Sequence, residues 1–253
     1  MTDAPSRPVT IITGASRGIG AAIAERLASD GHDLVITYRD RREDADAVAR
    51  RCATSGARVL LLQVDLADLD AAATVLPAAI SEFGRISGLV NNAGITGRIG
   101  GFLEAAIDES ERLFRVNVLA PIVLTRAAIA HMATDRGGAG GSIVNISSGA
   151  ARSGAPSTYI PYAMSKAALN ALTTGAAKEF GPVGVRVNTV SPGTTRTEIH
   201  AEAGRPNAPE ERAPGIPMRR PGEPHEIAGA VAYLFSADAS YTSGADIRVA
   251  GGP

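Results

Sequence analysis

The sequence has little cysteine, few aromatic residues and almost no lysine, and these shortages exclude several classes of protein. Its 253 residues include one cysteine, Cys52, so no disulfide can form within the chain, which suits a reducing cytoplasmic compartment. Tryptophan is absent and aromatic residues make up 4% of the chain, which argues against a base-stacking or sugar-stacking surface. The formal net charge is -1, so we expect no broad basic face for nucleic acid.

Long apolar runs and a secretory signal are also missing from the sequence. No uninterrupted apolar run approaches the roughly 18 residues of a membrane span, and the best one, residues 118–124, contains Pro121. Residues 1–8 are polar and include two prolines, so we expect no secretory signal. These features predict a cytoplasmic protein with no membrane partner.

Short apolar runs alternate with alanine-rich stretches of helical character along the chain. Strands are predicted at residues 9–13, 34–38, 58–64, 88–91, 142–146, 185–190 and 245–249. Helices are predicted at residues 19–29, 42–54, 68–83, 108–133 with a break near Pro121, 161–180 and 223–235. This order predicts an α/β fold with a parallel sheet of about seven strands and helices on both faces. With no break in composition, residues 1–253 are expected to form a single domain.

One irregular stretch interrupts this alternation. Residues 194–221 contain five prolines and mixed charge, and long loops in compact domains are commonly lids or binding loops. We therefore predict a substrate-binding lid over residues 194–221. Open parallel sheets bind ligands at the carboxyl ends of their strands, where the polar clusters of this sequence lie.

A glycine-rich turn links the first predicted strand to the first helix. Gly14, Gly18 and Gly20 would permit a tight turn and a close approach of a pyrophosphate to the backbone and the helix start. The same turn fits G-x-S-x-G around Ser16, the nucleophile elbow of α/β-hydrolases, and four histidines lie downstream. That elbow normally follows several strands, so its position after the first strand counts against a hydrolase.

A tyrosine and a lysine at a spacing of four open the predicted helix after Pro161. Tyr162 and Lys166 would lie on one helix face, one turn apart. A nearby ammonium favours the phenolate, so Lys166 is expected to lower the pKa of Tyr162 toward the range for acid–base catalysis. Lysine occurs twice in the chain and arginine 23 times, so a lysine here indicates a place where a guanidinium would fail.

With the glycine turn and Tyr-x-x-x-Lys in this order, the chain resembles the short-chain dehydrogenase/reductase family. The resemblance covers nearly the whole chain. Within the family, the chain is similar to 3-oxoacyl carrier protein reductases and to glucose 1-dehydrogenase-like enzymes. It runs through Asn91-Asn92-Ala93-Gly94, Asn117, Ser147-Ser148, Pro192-Gly193, Gly222-Glu223-Pro224, Thr242-Ser243-Gly244 and Gly251-Gly252. It implies a Rossmann-type doubly wound sheet and an oxidoreductase that acts on a carbonyl or a secondary alcohol.

The resemblance also implies a catalytic set. Tyr162 would be the general acid in reduction and the base in oxidation, and Ser148 rather than Ser147 would hold the substrate oxygen. Lys166 would hold the nicotinamide ribose, and Asn117 would position a water that links Lys166 to solvent. A non-catalytic dinucleotide-binding sensor of the same fold is the alternative, although such a protein would not need all four residues.

The implied cofactor contacts follow successive strands, and no metal is expected. They are Gly14, Ser16, Arg17, Gly18, Ile19 and Gly20 for the pyrophosphate, Asp65 and Leu66 for the adenine, Asn92, Ala93 and Gly94 for the adenosine, and Pro192, Gly193, Thr195 and Thr197, with Tyr162 and Lys166, for the nicotinamide side. The chain departs from the family pattern in the loop 149–161, which is one residue longer than is common, and at Ala250, where many members have a polar residue.

The end of the second predicted strand indicates which dinucleotide is preferred. Enzymes that prefer NAD place an acid there to bond the ribose 2′-hydroxyl, but this position is Tyr38. Arg39 and Arg17 would instead face a 2′-phosphate, which predicts NADP(H) over NAD(H). Asp40 could serve as the acid if the strand ended two residues later.

The sequence also gives expectations for the substrate and for the oligomeric state. The expected substrate is a small molecule, and Arg98 and Arg152, which follow the fourth and fifth strands, could meet an anionic one. The helix 162–180 is rich in small residues, and family members pair through it. We therefore expect a homotetramer with isologous interfaces.

Overall fold

The sheet of this protein is parallel and has its first strand near the middle. The structure, a computed structural model, describes residues 7–252, so most of the segment in which no secretory signal is expected lies outside it. In this range the strands are β1 Val9–Ile12, β2 Asp33–Tyr38, β3 Val59–Gln63, β4 Gly88–Asn91, β5 Gly141–Ile146, β6 Val185–Pro192 and β7 Asp246–Val249. They form one seven-stranded parallel sheet in the order β3-β2-β1-β4-β5-β6-β7. The predicted Rossmann-type, doubly wound fold class is confirmed.

Helices connect the strands and cover both faces of the sheet. They are α1 Gly18–Ser29, α2 Arg42–Ala53, α3 Leu69–Ala73, α4 Val75–Phe83, α5 Ile107–Phe114, α6 Ala120–Met132, α7 Ala150–Ser153, α8 Ile160–Phe180, α9 Ile199–Glu202, α10 Ala208–Arg212 and α11 Pro224–Phe235. A π-helical turn, Arg115–Leu119, joins α5 to α6. Short 3₁₀ turns lie at Phe102–Glu104, Thr134–Arg136, Gly181–Val183, Ala213–Gly215 and Ala237–Ala239.

Two hydrophobic cores lie on opposite faces of the sheet, because successive strand residues point to opposite sides. Ile11, Val35, Leu89, Ile143 and Val187 face the core formed with α4, α6 and the end of α8. Ile12, Ile36, Val90, Val144 and Val190 face the core formed with α1, α2 and α11. Each aliphatic side chain buried in this way contributes about 1.5–3 kcal/mol. The two cores hold the carboxyl ends of the strands in a fixed arrangement.

The structure differs from the predicted helices at two prolines. The stretch predicted as one helix over residues 68–83 is divided into α3 and α4, because Pro77 has no N–H to bond the carbonyl of Ala73. The break predicted near Pro121 lies earlier, in the π turn. Pro121 itself lies in the first turn of α6, where a missing N–H costs little.

The stretch predicted to be irregular, residues 194–221, contains the short helices α9 and α10. Prolines favour this outcome at the start of α10, where Pro209 occupies the first turn. The remaining prolines keep the segment from forming a longer helix. This segment therefore presents side chains from two short, separately oriented helices.

One helical run passes a test for a membrane span by length and composition. It is Ile107–Met132, which comprises α5, the π turn and α6, with a mean hydropathy of 1.6 over its best 18-residue window. The window passes although the longest uninterrupted apolar run is short, because averaging tolerates isolated polar residues. Half of the window is buried inside the protein, as in the core helix of a soluble protein, which passes the same test.

Candidate active site

A cleft of about 1080 Å³ opens at the carboxyl ends of the strands, on either side of the β1–β4 pair. This is where the strand order reverses and where open α/β sheets bind ligands. The cleft is lined by nearly all of the residues predicted from the sequence: Gly14, Ser16, Arg17, Gly18, Ile19, Gly20, Arg39, Asp65, Leu66, Asn92, Ala93, Gly94, Ser148, Tyr162, Lys166, Pro192, Gly193, Thr195 and Thr197. Asn117 is the predicted site residue that lies behind the cleft wall.

The glycine turn has room for backbone but not for side chains. Gly14 has a φ of +63°, and a Cβ there would lie 2.9 Å from the Cα of Ala93. A Cβ on Gly20 would lie 2.5 Å from both the Gly14 carbonyl oxygen and the Asn92 amide nitrogen. Because α1 begins at Gly18 with no side-chain cap among residues 7–252, its first N–H groups lack a capping acceptor there, and Gly18, Ile19 and Gly20 all line the cleft. The turn is thus a cradle for an anion of the pyrophosphate type.

The start of α8 brings a phenol and an ammonium to the same side of the cleft. Tyr162 and Lys166 are 8% and 3% exposed, and the Lys166 Nζ lies 5.7 Å from the centre of the Tyr162 ring. The Lys166 Nζ donates a hydrogen bond of 2.8 Å to the carbonyl of Ile146 at the end of β5. Ser147 donates its hydroxyl to the Lys166 carbonyl, which leaves Ser148 as the serine that faces the phenol.

Burial dominates the acid–base properties of this pair. Desolvation raises the pKa of Tyr162 above its ordinary value, and a hydrogen bond from Ser148 opposes the rise. Burial also lowers the pKa of Lys166 to about 8. The pKa of Tyr162 is raised rather than lowered as expected, because desolvation is the largest effect on the phenol and the Lys166 Nζ is directed to the Ile146 carbonyl.

Asn117 holds the loop after β4 against the helices behind the cleft. It lies in the π turn and is fully buried. Its Oδ1 accepts a hydrogen bond from the Ile95 N–H at 2.9 Å, and its Nδ2 donates to the Ile95 carbonyl at 2.8 Å and to Ser165 at 3.0 Å. A Cβ on Gly94 would lie 3.3 Å from this Oδ1 and 3.2 Å from the Lys166 Nζ. Asn117 therefore fixes the wall beside Lys166.

Several arginines meet at the end of the cleft beside β2. β2 ends at Tyr38, so the exposed Asp40 lies beyond the strand and pairs with Arg39. Arg17 pairs with Glu202 of α9, and Arg41 lies 3.7 Å from the same carboxylate. The Nη1 of Arg17 is buried and has no hydrogen-bond partner within residues 7–252. Three guanidinium groups, those of Arg17, Arg39 and Arg41, therefore lie at this corner beside the carboxylates of Asp40 and Glu202, and guanidinium groups are suited to bind phosphate.

The structure adds residues that the sequence did not single out. Tyr159, His200 and Arg212 line the cleft on the side of Tyr162, and Arg152 lies there as well. Arg98 is outside the cleft, where its backbone N–H bonds Glu109. No local pattern marks Arg212 or His200, because they reach the site through the fold of residues 194–221.

A hydrolase site is not formed around Ser16. His200 lines the same cleft, but its Nδ1 is buried without a hydrogen-bond partner, so no carboxylate among residues 7–252 orients it as a catalytic triad requires.

Comparison with known proteins agrees with this fold. The family model described as enoyl-(acyl carrier protein) reductase matches residues 14–253. The uncharacterised oxidoreductase YgfF of Escherichia coli is 38% identical, covering 96% of this chain and 99% of its own. The 3-oxoacyl-[acyl-carrier-protein] reductase FabG of Staphylococcus aureus is 34% identical, covering 96% of each chain.

Solved structures give the same result. A short-chain dehydrogenase/reductase from Serratia marcescens superposes with a TM-score of 0.88 at 38% identity, covering 98% of this chain and 99% of its own. A blue fluorescent protein from a metagenomic library, in complex with NADPH, gives 0.88 at 36% identity over 97% of each chain. An NAD+-bound xylitol dehydrogenase gives 0.88 at 29% identity, covering 98% of this chain and 100% of its own.

The fold and these relatives define an oxidoreductase that uses a nicotinamide dinucleotide. The chain belongs to the short-chain dehydrogenase/reductase family.

Proposed function

We propose that the protein is an NADP(H)-dependent oxidoreductase that reduces a carbonyl group or oxidises a secondary alcohol. The observation that carries this proposal is the convergence of Ser148, Tyr162 and Lys166 in the cleft that the glycine turn also lines. A protein that only binds a dinucleotide has no need of a buried phenol and a buried ammonium beside a half-buried serine hydroxyl.

Tyr162 is the proposed proton donor and acceptor. The bound cofactor would supply or accept the hydride, and Tyr162 would give a proton to the carbonyl oxygen in reduction and remove it in oxidation. Burial keeps the phenol protonated, which is the form that reduction requires. Ser148, which opposes the rise in the pKa of Tyr162, would hold the substrate oxygen beside the phenol.

Lys166 is proposed to bind the ribose hydroxyl groups next to the nicotinamide. Its ammonium lies between the Ile146 carbonyl and Gly94, and both neighbours line the cleft. Asn117 is proposed to position this wall, and the predicted water near Lys166 would depend on it. Since its side chain is engaged with Ile95 and Ser165, its effect runs through the position of the loop rather than through direct contact with the substrate.

The cradle and the arginines fit a dinucleotide with a 2′-phosphate. The glycine turn has no side chains that would block a pyrophosphate, and the buried Nη1 of Arg17 has no partner in the part of the chain that the structure describes. Arg39 is the proposed 2′-phosphate ligand, with Arg17 beside it, because β2 ends at Tyr38 with no acid at that position. Residues 194–221 are proposed to be the lid, since Thr195, Thr197 and His200 line the cleft.

The proposal is tested by NADPH consumption with a panel of ketones and aldehydes. We expect kcat/KM with NADPH to exceed that with NADH by at least about 10-fold, which requires about 1.4 kcal/mol of differential binding. Arg39→Asp should narrow or reverse the ratio, because it places a carboxylate where the phosphate would bind. Arg42→Asp is the matched control, since Arg42 lies outside the cleft and should leave the ratio unchanged. Equal use of both cofactors by the wild type would contradict the preference.

A further inference from the structure

The part of the cleft around Tyr162, here called the substrate half, contains positive charge and no carboxylate. It is lined by Ser148, Arg152, Tyr159, Tyr162, His200 and Arg212. Among the described residues, the acids that line the cleft are Asp40, Asp65, Glu198 and Glu202, and all four lie at the cofactor end. Asp40 and Asp65 follow β2 and β3, Glu202 pairs with Arg17, and the Glu198 carboxylate lies 3.7 Å from the Cβ position of Gly18.

Arg212 differs in its charge partners from three other arginines of the segment 194–221, each of which pairs with a carboxylate. Arg196 pairs with Glu210 and Glu223, Arg205 pairs with Glu211, and Arg220 pairs with Glu226. Arg212, at the end of α10, has no carboxylate within ion-pair distance in the described part of the chain. It is also partly buried, so water solvates its charge less completely than that of an exposed arginine.

The position of Arg212 relates it directly to the proposed proton donor. Its Nη1 donates a hydrogen bond of 3.2 Å to the hydroxyl of Tyr159, and its guanidinium carbon lies 5.8 Å from the centre of that ring. The Tyr159 ring in turn contacts the Tyr162 ring edge to face at 5.1 Å between centres. One aromatic ring therefore separates the guanidinium from the phenol, a span that a small substrate can bridge.

His200 adds an unused hydrogen-bonding atom on the same side. It is 8% exposed, lines the cleft, and its Nδ1 has no partner among residues 7–252. Burial and the positive charge of Arg212 both lower the pKa of His200, so it is a neutral ligand beside a cation. A buried polar atom without a partner is costly, and a bound ligand would relieve that cost.

We propose that Arg212 binds an anionic group on the substrate, so that the natural substrate is a carbonyl compound carrying a carboxylate or a phosphate. This inference rests on the proposed function and assigns a substrate class to the same cleft. A guanidinium holds either anion through two parallel hydrogen bonds, which fixes the orientation of the molecule as well as its charge. Arg152, at the exposed rim of the substrate half, adds a second positive charge.

Matched substrate pairs test the proposal, because each pair has the same carbonyl and differs in charge. The pairs are 4-oxopentanoate and its methyl ester, acetoacetate and its ethyl ester, and dihydroxyacetone phosphate and dihydroxyacetone. We expect kcat/KM to favour the anionic member by about 10-fold or more in at least one pair. Preference for the acids alone or for the phosphate alone identifies which anion the site takes. Equal or better turnover of every neutral member would overturn the proposal.

Variants separate binding of the anion from a structural role of Arg212. Arg212→Gln should remove the preference, because it should lower kcat/KM for the anionic member much more than for the neutral member, while Arg212→Lys should retain part of the preference. Arg205→Gln is the matched control, because Arg205 lies in the same segment and outside the cleft. An equal loss for both members of a pair in Arg212→Gln would show that Arg212 only supports the fold.

Binding gives a readout that does not depend on turnover. Calorimetry with the enzyme–NADP+ complex and a ketone measures a dead-end complex, in which no hydride can be transferred. We expect 4-oxopentanoate or dihydroxyacetone phosphate to bind, and Arg212→Gln to weaken that binding about 10-fold. Absence of turnover with every carbonyl tested would count against the proposed function, whereas binding that ignores Arg212 would count against this inference alone.

Discussion

At the scale of single residues, burial has the largest effect on the protonation of Tyr162 and Lys166, the pair proposed to be catalytic. Tyr162 keeps its proton and Lys166 has a pKa of about 8, because each loses water that would solvate its charged form. The Lys166 ammonium is directed to the Ile146 carbonyl in the free site. Burial therefore favours the protonated phenol that the proposed reduction requires.

The pH titration of Tyr162 tests this description. The raised pKa means that the phenol holds its proton above pH 10, the ordinary midpoint for tyrosine. We expect the difference in phenolate absorbance between wild type and Tyr162→Phe, measured without cofactor, to show a midpoint above about 10. A midpoint near 8 would mean that the lysine charge already controls the phenol in the free enzyme.

Replacement of Lys166 by arginine tests the need for a compact cation. A Cβ on Gly94 would already approach the Lys166 Nζ to 3.2 Å, so a planar guanidinium would meet the wall of the cleft. We expect Lys166→Arg to lower kcat by more than about 100-fold, measured by steady-state kinetics. Lys178→Arg is the control, since the other lysine of the chain lies in the last turn of α8, outside the cleft. A small decrease in kcat for Lys166→Arg would contradict the need for a compact cation at this position.

At the scale of elements, the strands and the long helices follow from the sequence, while the short helices over the cleft do not. β4 begins and ends as predicted, and β2 and α8 begin within a residue of the prediction, because buried β-branched runs and alanine-rich stretches have a clear periodicity. The π turn around Asn117 and the helices α9 and α10 carry no such period. They depend on tertiary contacts, so Arg212 and His200 could not be placed in advance.

The helix α9 carries a carboxylate to the cations that are proposed to bind phosphate. Glu202 pairs with Arg17 and lies 3.7 Å from Arg41, and these contacts must give way if phosphate oxygens take the same guanidinium groups. Exposed pairs of this kind are worth up to about 1 kcal/mol. We expect Glu202→Gln to tighten NADPH binding by about two- to fivefold in calorimetry and to change NADH binding less.

The control for this variant is Glu211→Gln, which removes an exposed carboxylate of the same segment that pairs with Arg205 outside the cleft. It should leave the affinity for both cofactors unchanged. Weaker NADPH binding in Glu202→Gln would show instead that this carboxylate helps to orient Arg17 for the cofactor.

At the scale of the whole molecule, apolar side chains remain exposed on α8, the helix expected to pair between subunits, and on the helical run from α5 through the π turn. Met164 of α8 is 53% exposed, Leu119 at the end of the π turn is 40% exposed, and Ile107 of α5 is 74% exposed. Such residues on neighbouring helices indicate a surface that a second copy could cover. The small residues of α8 would permit close approach of two helices.

We predict a homotetramer, with light scattering as the measurement. A mass near four times the 25.9 kDa chain is expected at micromolar concentration. Leu119→Glu should reduce the mass, because it places a charge in the proposed contact, whereas Tyr241→Glu, at a fully exposed position far along the chain, should not. A monomer at every concentration would contradict the prediction.

The proposed role of Tyr162 in proton transfer is tested by comparing turnover with cofactor binding in Tyr162→Phe. The substitution keeps the aromatic ring, which packs against Tyr159, and removes the hydroxyl proton that is proposed to be transferred. We predict that kcat for carbonyl reduction falls by more than about 100-fold while the Kd for NADPH, measured by calorimetry, stays within about twofold. Turnover close to that of the wild type in Tyr162→Phe would contradict the proposed role of Tyr162 as proton donor and acceptor.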